Sequence, residues 1–325
     1  MKKFIRYLFF AAIAGLFIYL AFKNTKFDEL WANIQKANFL WVGAAWVAGV
    51  LSVVSRAIRY TYIVEPLGYS CNKTNSYHAA MIGYMVNFAI PRGGEISRAA
   101  SISRSEKIPL PTVIGSIVAE RVVDLVFMGL VFLMALVLQK DIILEQFSAS
   151  DPNSTAPSSN LKWIVLAVLG IAFFASFYFL KKLKHIAIFN KIYNLLMGFA
   201  EGIKAVFRLK KPLHFLLHSL FIWLMYFLMV YCIFFALPQT AHLGFSAGLS
   251  VLVMSTVAVV LPAPGGIGTF HFFVSKVLLI YGIAIDDGLA YATIAHASQM
   301  IMFVVLGVVS FVLMLAIQKK NSRPT

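Results

Sequence analysis

Charged residues beside an apolar run are the first feature of this sequence that could do chemistry. Glu120, Arg121 and Asp124 stand in AERVVD (Ala119–Asp124), directly before the uncharged run Leu125–Leu138. On a helix Glu120 and Asp124 are four apart and share a face, while Arg121 and Asp124 are three apart and can pair. Charges within an apolar span face the protein interior or a water-filled cavity. There they hold an ionic headgroup, carry protons, or lock helix register as a buried ion pair. A second set is Arg92, Gly93, Gly94, Glu95 and Arg98 in NFAIPRGGEISR (Asn87–Arg98). A third is Gly265, Gly266, Gly268 and Thr269 in LPAPGGIGTFH (Leu261–His271). Glycines at the start of a half-helix let backbone N–H groups approach an anion closely, and the positive end of the helix dipole favours it. Thr269 is an acceptable N-cap for such a half-helix. Arg92 and Arg98 could add charge-assisted, bidentate contacts to the same anion, for which phosphate is the natural fit.

Each feature also has a purely structural reading. Pro-Gly-Gly breaks let helices pack closely. Glu95, Glu120, Arg121 and Asp124 read equally as a salt-bridge cluster that binds nothing, with Arg121 compensating Glu120 and Asp124. His271, and His296 in the turn TIAHASQ (Thr293–Gln299), read as satisfied interior histidines. Arg121 beside Glu120 and Asp124 argues against a metal, and Cys71 and Cys232 have no metal-ligand spacing. HExxH and nucleotide-binding motifs are absent from the sequence, and no cofactor is expected.

The elements that position these residues must be membrane helices. With 60% of its 325 residues hydrophobic and 13% charged, the chain has too little polar surface for a soluble domain. Its net charge of +15 sits in short loops between apolar runs, which the positive-inside rule explains without nucleic acid. The expected fold is an all-α polytopic membrane protein, one integral domain over residues 1–325, with about six full spans and two broken, re-entrant elements.

The expected order runs as follows. Lys2, Lys3 and Arg6 put the N-terminus of an uncleaved first span in the cytoplasm and Lys23–Asn38 outside. Phe39–Tyr62 returns inward, with Arg56 and Arg59 at its cytoplasmic end. Tyr77–Pro109, broken at Pro91, enters and leaves from that side, and after the break the chain turns polar. Leu125–Leu138 alone is about 21 Å long as a helix, short of the ~30 Å hydrocarbon core. The span must therefore take in Glu120, Arg121 and Asp124. Lys140–Asn160 reads as an outer loop and Leu161–Leu180 as a span. Lys181–Pro212 reads as a basic amphipathic connector on the inner face. His214–Ala236 crosses outward, Phe245–Ile285 is the second broken element, and Leu289–Ile317 leads to a cytoplasmic basic tail. Two breaks entering from opposite faces, each followed by a full span, form a weak inverted repeat, and paired interruptions of this kind point to a transporter's binding site.

The motifs NFAIPRGGEISR, AERVVD and LPAPGGIGTF, in this order, resemble the signatures of the lysylphosphatidylglycerol synthase transmembrane-region family, and the resemblance covers nearly the whole chain. Relatives that join synthase to flippase carry a soluble aminoacyl-transferring domain after the membrane part. This sequence stops at Thr325 without one. The resemblance thus implies a flippase-like role in the cell membrane and gives no support to synthase chemistry. The expected function is movement of a lipid or lipid-linked anionic headgroup, with an anionic phospholipid or lipid-linked phosphate as partner. A membrane enzyme acting on lipid headgroups and a non-transporting scaffold are the alternatives.

Overall fold

The computed structural model describes residues 2–23, 25–90, 93–139, 207–261 and 263–321, with backbone alone at 2–11, 318, 320 and 321. Every element among them is helical: α1 (Lys2–Phe22), α2 (Phe27–Gln35), α3 (Phe39–Val64), α4 (Lys73–Ala89), α5 (Gly93–Glu106), α6 (Leu110–Leu138), α7 (Pro212–Phe234), α8 (Phe245–Val260), α9 (Thr269–Ile280) and α10 (Ile285–Asn321). The chain divides into two compact units, Met1–Phe132 with Leu209–Thr325, and Leu133–Arg208. The first holds all the motifs. In the second, the described residues are the last turns of α6 and residues 207–208.

Asparagine sets two of the helix starts. The Asn38 side chain accepts from the Leu40 N–H at 3.1 Å and Asn72 from the Thr74 N–H at 2.8 Å, each satisfying a donor that the first turn leaves open. Among the described residues, four helical segments are long and apolar enough to cross a membrane: Phe39–Leu67, Leu110–Leu138, Pro212–Phe234 and Ile285–Ile317. The first continues α3 through a single 3-10 turn. As expected, α6 runs unbroken through Glu120–Asp124. The expected span Leu161–Leu180, the outer loop Lys140–Asn160, the connector Lys181–Pro212 up to residue 206, and Arg92 lie outside the described residues.

Each half of the described chain reads long helix, broken hairpin, long helix: α3, α4/α5, α6, and then α7, α8/α9, α10. The first hairpin is tight for a steric reason. A Cβ on Gly94 would collide with the Gly83 carbonyl oxygen, so α4 and α5 touch backbone to backbone. Tyr60 and Val64 of α3, Ile82 of α4, Ile102 of α5 and Val113 and Ile117 of α6 then fill one core. Met81, Met225, Met229 and Met302 fill another between α4, α7 and α10.

One expectation, the turn at Thr293–Gln299, is corrected, and two other stretches gain detail. The polar stretch after Pro91 is the helix α5, because its glycines sit only at the start and Ala99, Ala100 and Glu106 propagate a helix well. Thr293–Gln299 is no turn but lies within α10, where no proline or glycine interrupts it. Lys23–Asn38 contains α2, fastened by the Asn33 Nδ2–H, which donates to Asp287 Oδ1 at 2.9 Å.

Candidate anion site and buried charge cluster

Glu120, one helical turn from Asp124 on α6, is fully buried, and arginines from two other helices surround it. Arg56 Nη1 donates to Glu120 Oε1 at 2.6 Å and Arg59 Nη2 to the same oxygen at 2.8 Å. Arg98 Nη2, from α5, donates to Oε2 at 2.9 Å. Asp124 takes Arg56 Nη1 at 3.0 Å and lies 2.8 Å from Arg59 Nη1. The side chains of Arg56, Arg59 and Arg98 are 2%, 0% and 3% exposed.

An outer layer orients this core. Arg56 Nη2 donates to the Tyr226 hydroxyl at 2.9 Å, and Tyr226 in turn pairs with Tyr84 at 3.2 Å. Arg59 Nη1 donates to Ser219 Oγ at 2.9 Å, and its guanidinium lies 5.4 Å from the Phe215 ring centre. Arg98 stacks on Tyr60 at 5.0 Å. Five helices, α3 to α7, thus converge on two carboxylates.

The expected role of Arg121 needs correction. Its Nη1 reaches Asp124 Oδ2 at 3.1 Å, and its Nε lies 2.8 Å from Glu95 Oε1. At 37% exposure it closes the rim of the cluster, and Glu120 is compensated by Arg56, Arg59 and Arg98 instead. Adjacent residues on a helix point about 100° apart, so Arg121 and Glu120 leave the helix in different directions. Arg56 and Arg59 lie in the last third of α3, as their place in the sequence led one to expect, but they are buried at the centre of the charge cluster. Their spacing of three on one helix face was the available signal, and the charge-bias rule masked it.

Arg98 does not stand free for an outside anion, because one edge is committed to Glu120. Its Nε and Nη1 are nevertheless buried and without a hydrogen-bond partner. The whole cluster sets four guanidiniums against three carboxylates, leaving a net +1.

The first break lies one turn before Arg98. The Gly94 N–H donates to the Asn87 side-chain oxygen at 2.8 Å, so α4 caps α5 across the hairpin. At the second break Gly265, Gly266 and Gly268 have φ of 58°, 76° and 81°, the left-handed region that glycine alone enters freely. Gly268, not Thr269, occupies the N-cap position of α9, and no side chain caps its first turn. Thr269, fully buried, uses its hydroxyl as a donor to the carbonyls of Ala258 at 2.9 Å and Gly266 at 3.0 Å. It ties the start of α9 to the end of α8. His296 Nε2 lies 2.8 Å from the Gly265 carbonyl; since that oxygen only accepts, Nε2 carries the hydrogen.

Packing accounts for some of the glycines. A Cβ on Gly268 would lie 2.7 Å from the Ala14 carbonyl of α1, and one on Gly265 would lie 2.7 Å from Phe88 Cδ1 at the end of α4. The latter contact brings the two breaks together. Glu95 and Arg121 join the rim of the charge cluster, and Gly93 opens α5 with its N–H donating to Ile90 O at 2.9 Å.

No solved structure matches the chain. A UPF0104 membrane protein of Methanocaldococcus jannaschii is 30% identical over 115 residues, and the match covers 34% of each chain, about a third of that relative's length. The sequence pattern described as the lysylphosphatidylglycerol synthase TM region matches residues 7–307. On that match, which takes in every motif described above, the chain belongs to the lysylphosphatidylglycerol synthase TM region family.

Proposed function

We propose that this protein is a flippase-like transporter that moves a lipid or lipid-linked anionic headgroup across the cell membrane, with both termini cytoplasmic. The observation that carries this reading is Arg98. It is buried one turn from the first Pro-Gly-Gly break, in a cluster of net positive charge, with Nε and Nη1 unmatched. A buried guanidinium with unsatisfied donors is costly unless an acceptor visits it, and a phosphate is the acceptor its fork fits best. The uncapped start of α9 supports the same ligand from the second break, which abuts the first at Phe88 and Gly265. Arg92, outside the described residues, would complete the proposed pocket, while Gly93, Gly94 and Gly266 shape its backbone with their N–H groups already bonded to Ile90 O, the Asn87 side chain and Ala263 O. Hiding a phosphate from hydrocarbon is the energetic problem of lipid translocation, and fixed amides and guanidiniums solve it without a covalent intermediate. Rocking of one half of an inverted repeat against the other would expose the pocket to each side in turn.

The test is lipid movement in proteoliposomes, read with headgroup-labelled phospholipids and polyprenyl phosphates and an impermeant quencher. Wild-type protein should accelerate movement of at least one anionic lipid over protein-free vesicles. Arg98→Lys keeps a cation on Glu120 but has no second guanidinium edge, and should slow movement while the thermal unfolding midpoint stays near wild type. Equal movement with and without protein across the whole panel would overturn the transporter reading and bring the scaffold forward.

A further inference from the structure

Away from the charge cluster, α3 and α7 lie side by side and antiparallel. The Asn38 N–H at the start of α3 donates to the Ala236 carbonyl just past the end of α7, and Lys210 Nζ lies 3.6 Å from Glu65 Oε1 at the opposite end. Between them is an open groove of about 410 Å³, lined by Leu51, Val54, Ser55 and Ile58 from α3 and by His214, Leu217, His218 and Phe221 from α7. That volume is in the range of small-ligand sites.

The groove is amphipathic along its length. Leu51, Val54, Leu217 and Phe221 are exposed, and in a membrane helix such a wall faces acyl chains. The other end is polar. His214 and His218 share a face at a spacing of four, and Tyr62 packs against both rings, at 6.2 and 5.9 Å. Ser55 Oγ lies 2.8 Å from His218 Nδ1 and fixes that ring by one edge. Just beyond, exposed Lys210 and Lys211 precede Pro212, the first residue of α7, and no side chain caps that helix start. The His214 imidazole, the Lys211 ammonium and free amide donors favour an anion at this end, where Lys210 is shared with the partly exposed Glu65 carboxylate and the two lysines still outnumber it, while from His214 to Phe221 the groove offers about 10 Å of apolar wall.

We propose that this groove is a binding site for an anionic glycerophospholipid, with one acyl chain along Leu51, Val54, Leu217 and Phe221 and the phosphate at His214, Lys210 and Lys211. The lipid belongs to the leaflet at the Lys210 end. This site is separate from the Pro-Gly-Gly breaks and stands whether or not the protein moves lipid. Charge sets its selectivity: a zwitterionic headgroup brings its own cation to the lysines and loses the attraction.

Photolabelling of the full chain tests it. The protein is reconstituted in phosphatidylcholine vesicles containing a minor fraction of phosphatidylglycerol with a diazirine on one acyl chain, and labelled peptides are mapped by mass spectrometry. Label should concentrate in residues 51–58 and 213–221, and excess unlabelled phosphatidylglycerol should compete it away where phosphatidylcholine does not. Replacing Lys210 and Lys211 together with alanine should lower labelling about tenfold, each lysine near an anionic surface contributing comparably. Leu217→Trp, at an exposed wall position that folding does not depend on, should fill the groove and lower it as well. Equal labelling by diazirine-bearing phosphatidylcholine, or label spread evenly over outward faces such as 130–138 and 308–315, would overturn the proposal in favour of an ordinary lipid annulus. Cross-linking of Leu217→Cys chains to one another by a bis-maleimide, on a background without Cys71 and Cys232, would overturn it in favour of a dimer face.

Discussion

Phe88 at the end of α4 lies against Gly265, so closely that a Cβ on that glycine would be 2.7 Å from Phe88 Cδ1. This one contact joins the two Pro-Gly-Gly breaks, which the chain separates by more than half its length. Gly265 is doubly constrained, by a φ of 58° and by its neighbour, while its carbonyl is held by His296. Gly265 is therefore held from two sides where the backbone is least regular.

Removing the shared carboxylate should do more damage than removing a rim cation. Glu120→Ala leaves Arg56, Arg59 and Arg98 facing one another without it, and should cost about 3–5 kcal/mol. Arg121→Ala breaks partly exposed pairs and should cost about 1 kcal/mol or less. Thermal unfolding of the purified proteins reads the difference. Equal losses would show that Arg121 is as central to the cluster as Glu120.

The glycines divide in the same way. Gly94→Ala drives a methyl group into the Gly83 carbonyl and should cost at least about 3 kcal/mol, since backbone cannot move aside as a side chain can. Gly115→Ala, on α6 with nothing within 4 Å, should be neutral or gain up to about 1 kcal/mol of helix propensity. Unfolding midpoints of the two single variants check this. A stable Gly94→Ala protein would contradict the close packing of α4 on α5.

Cys71, in the turn between the α3 span and α4, should alkylate slowly. Burial pushes its thiol up to about 12, with the Glu106 carboxylate adding to the shift and Arg98 opposing it. The thiolate is the reactive form, so the rate should rise about tenfold per pH unit from pH 7 to 9, while an exposed thiol of pKa near 8.5 levels off. A maleimide time course on a Cys232→Ser background measures it. A rate that plateaus by pH 9 would place the Cys71 thiol in an exposed setting.

Topology is open to direct labelling. On a background without Cys71 and Cys232, Thr155→Cys should react with an impermeant maleimide on intact cells, and Arg323→Cys only after permeabilisation. These follow from the basic bias of the N-terminal, Lys181–Lys211 and C-terminal segments. Labelling of residue 155 only after permeabilisation would falsify this orientation.

Composition and hydropathy alone determined that the chain is a helical membrane protein, because a bilayer leaves few other ways to satisfy backbone hydrogen bonds. Local chemistry determined more. Proline and glycine at 261–268 marked the second break, and the shortness of Leu125–Leu138 forced Glu120 and Asp124 into a helix that does continue through them. Partners were another matter. That Arg56, Arg59 and Arg98 meet at Glu120 depends on α3 and α5 both packing on α6, and spacing within one helix carries no information about which other helix lies opposite. The same holds for Thr269, a cap by residue type, whose hydroxyl turned to the Ala258 carbonyl once α8 lay beside α9. Sequence thus settled which residues leave water; the tertiary structure decided which of them satisfy one another, because burial is a property of a segment and pairing is a property of two.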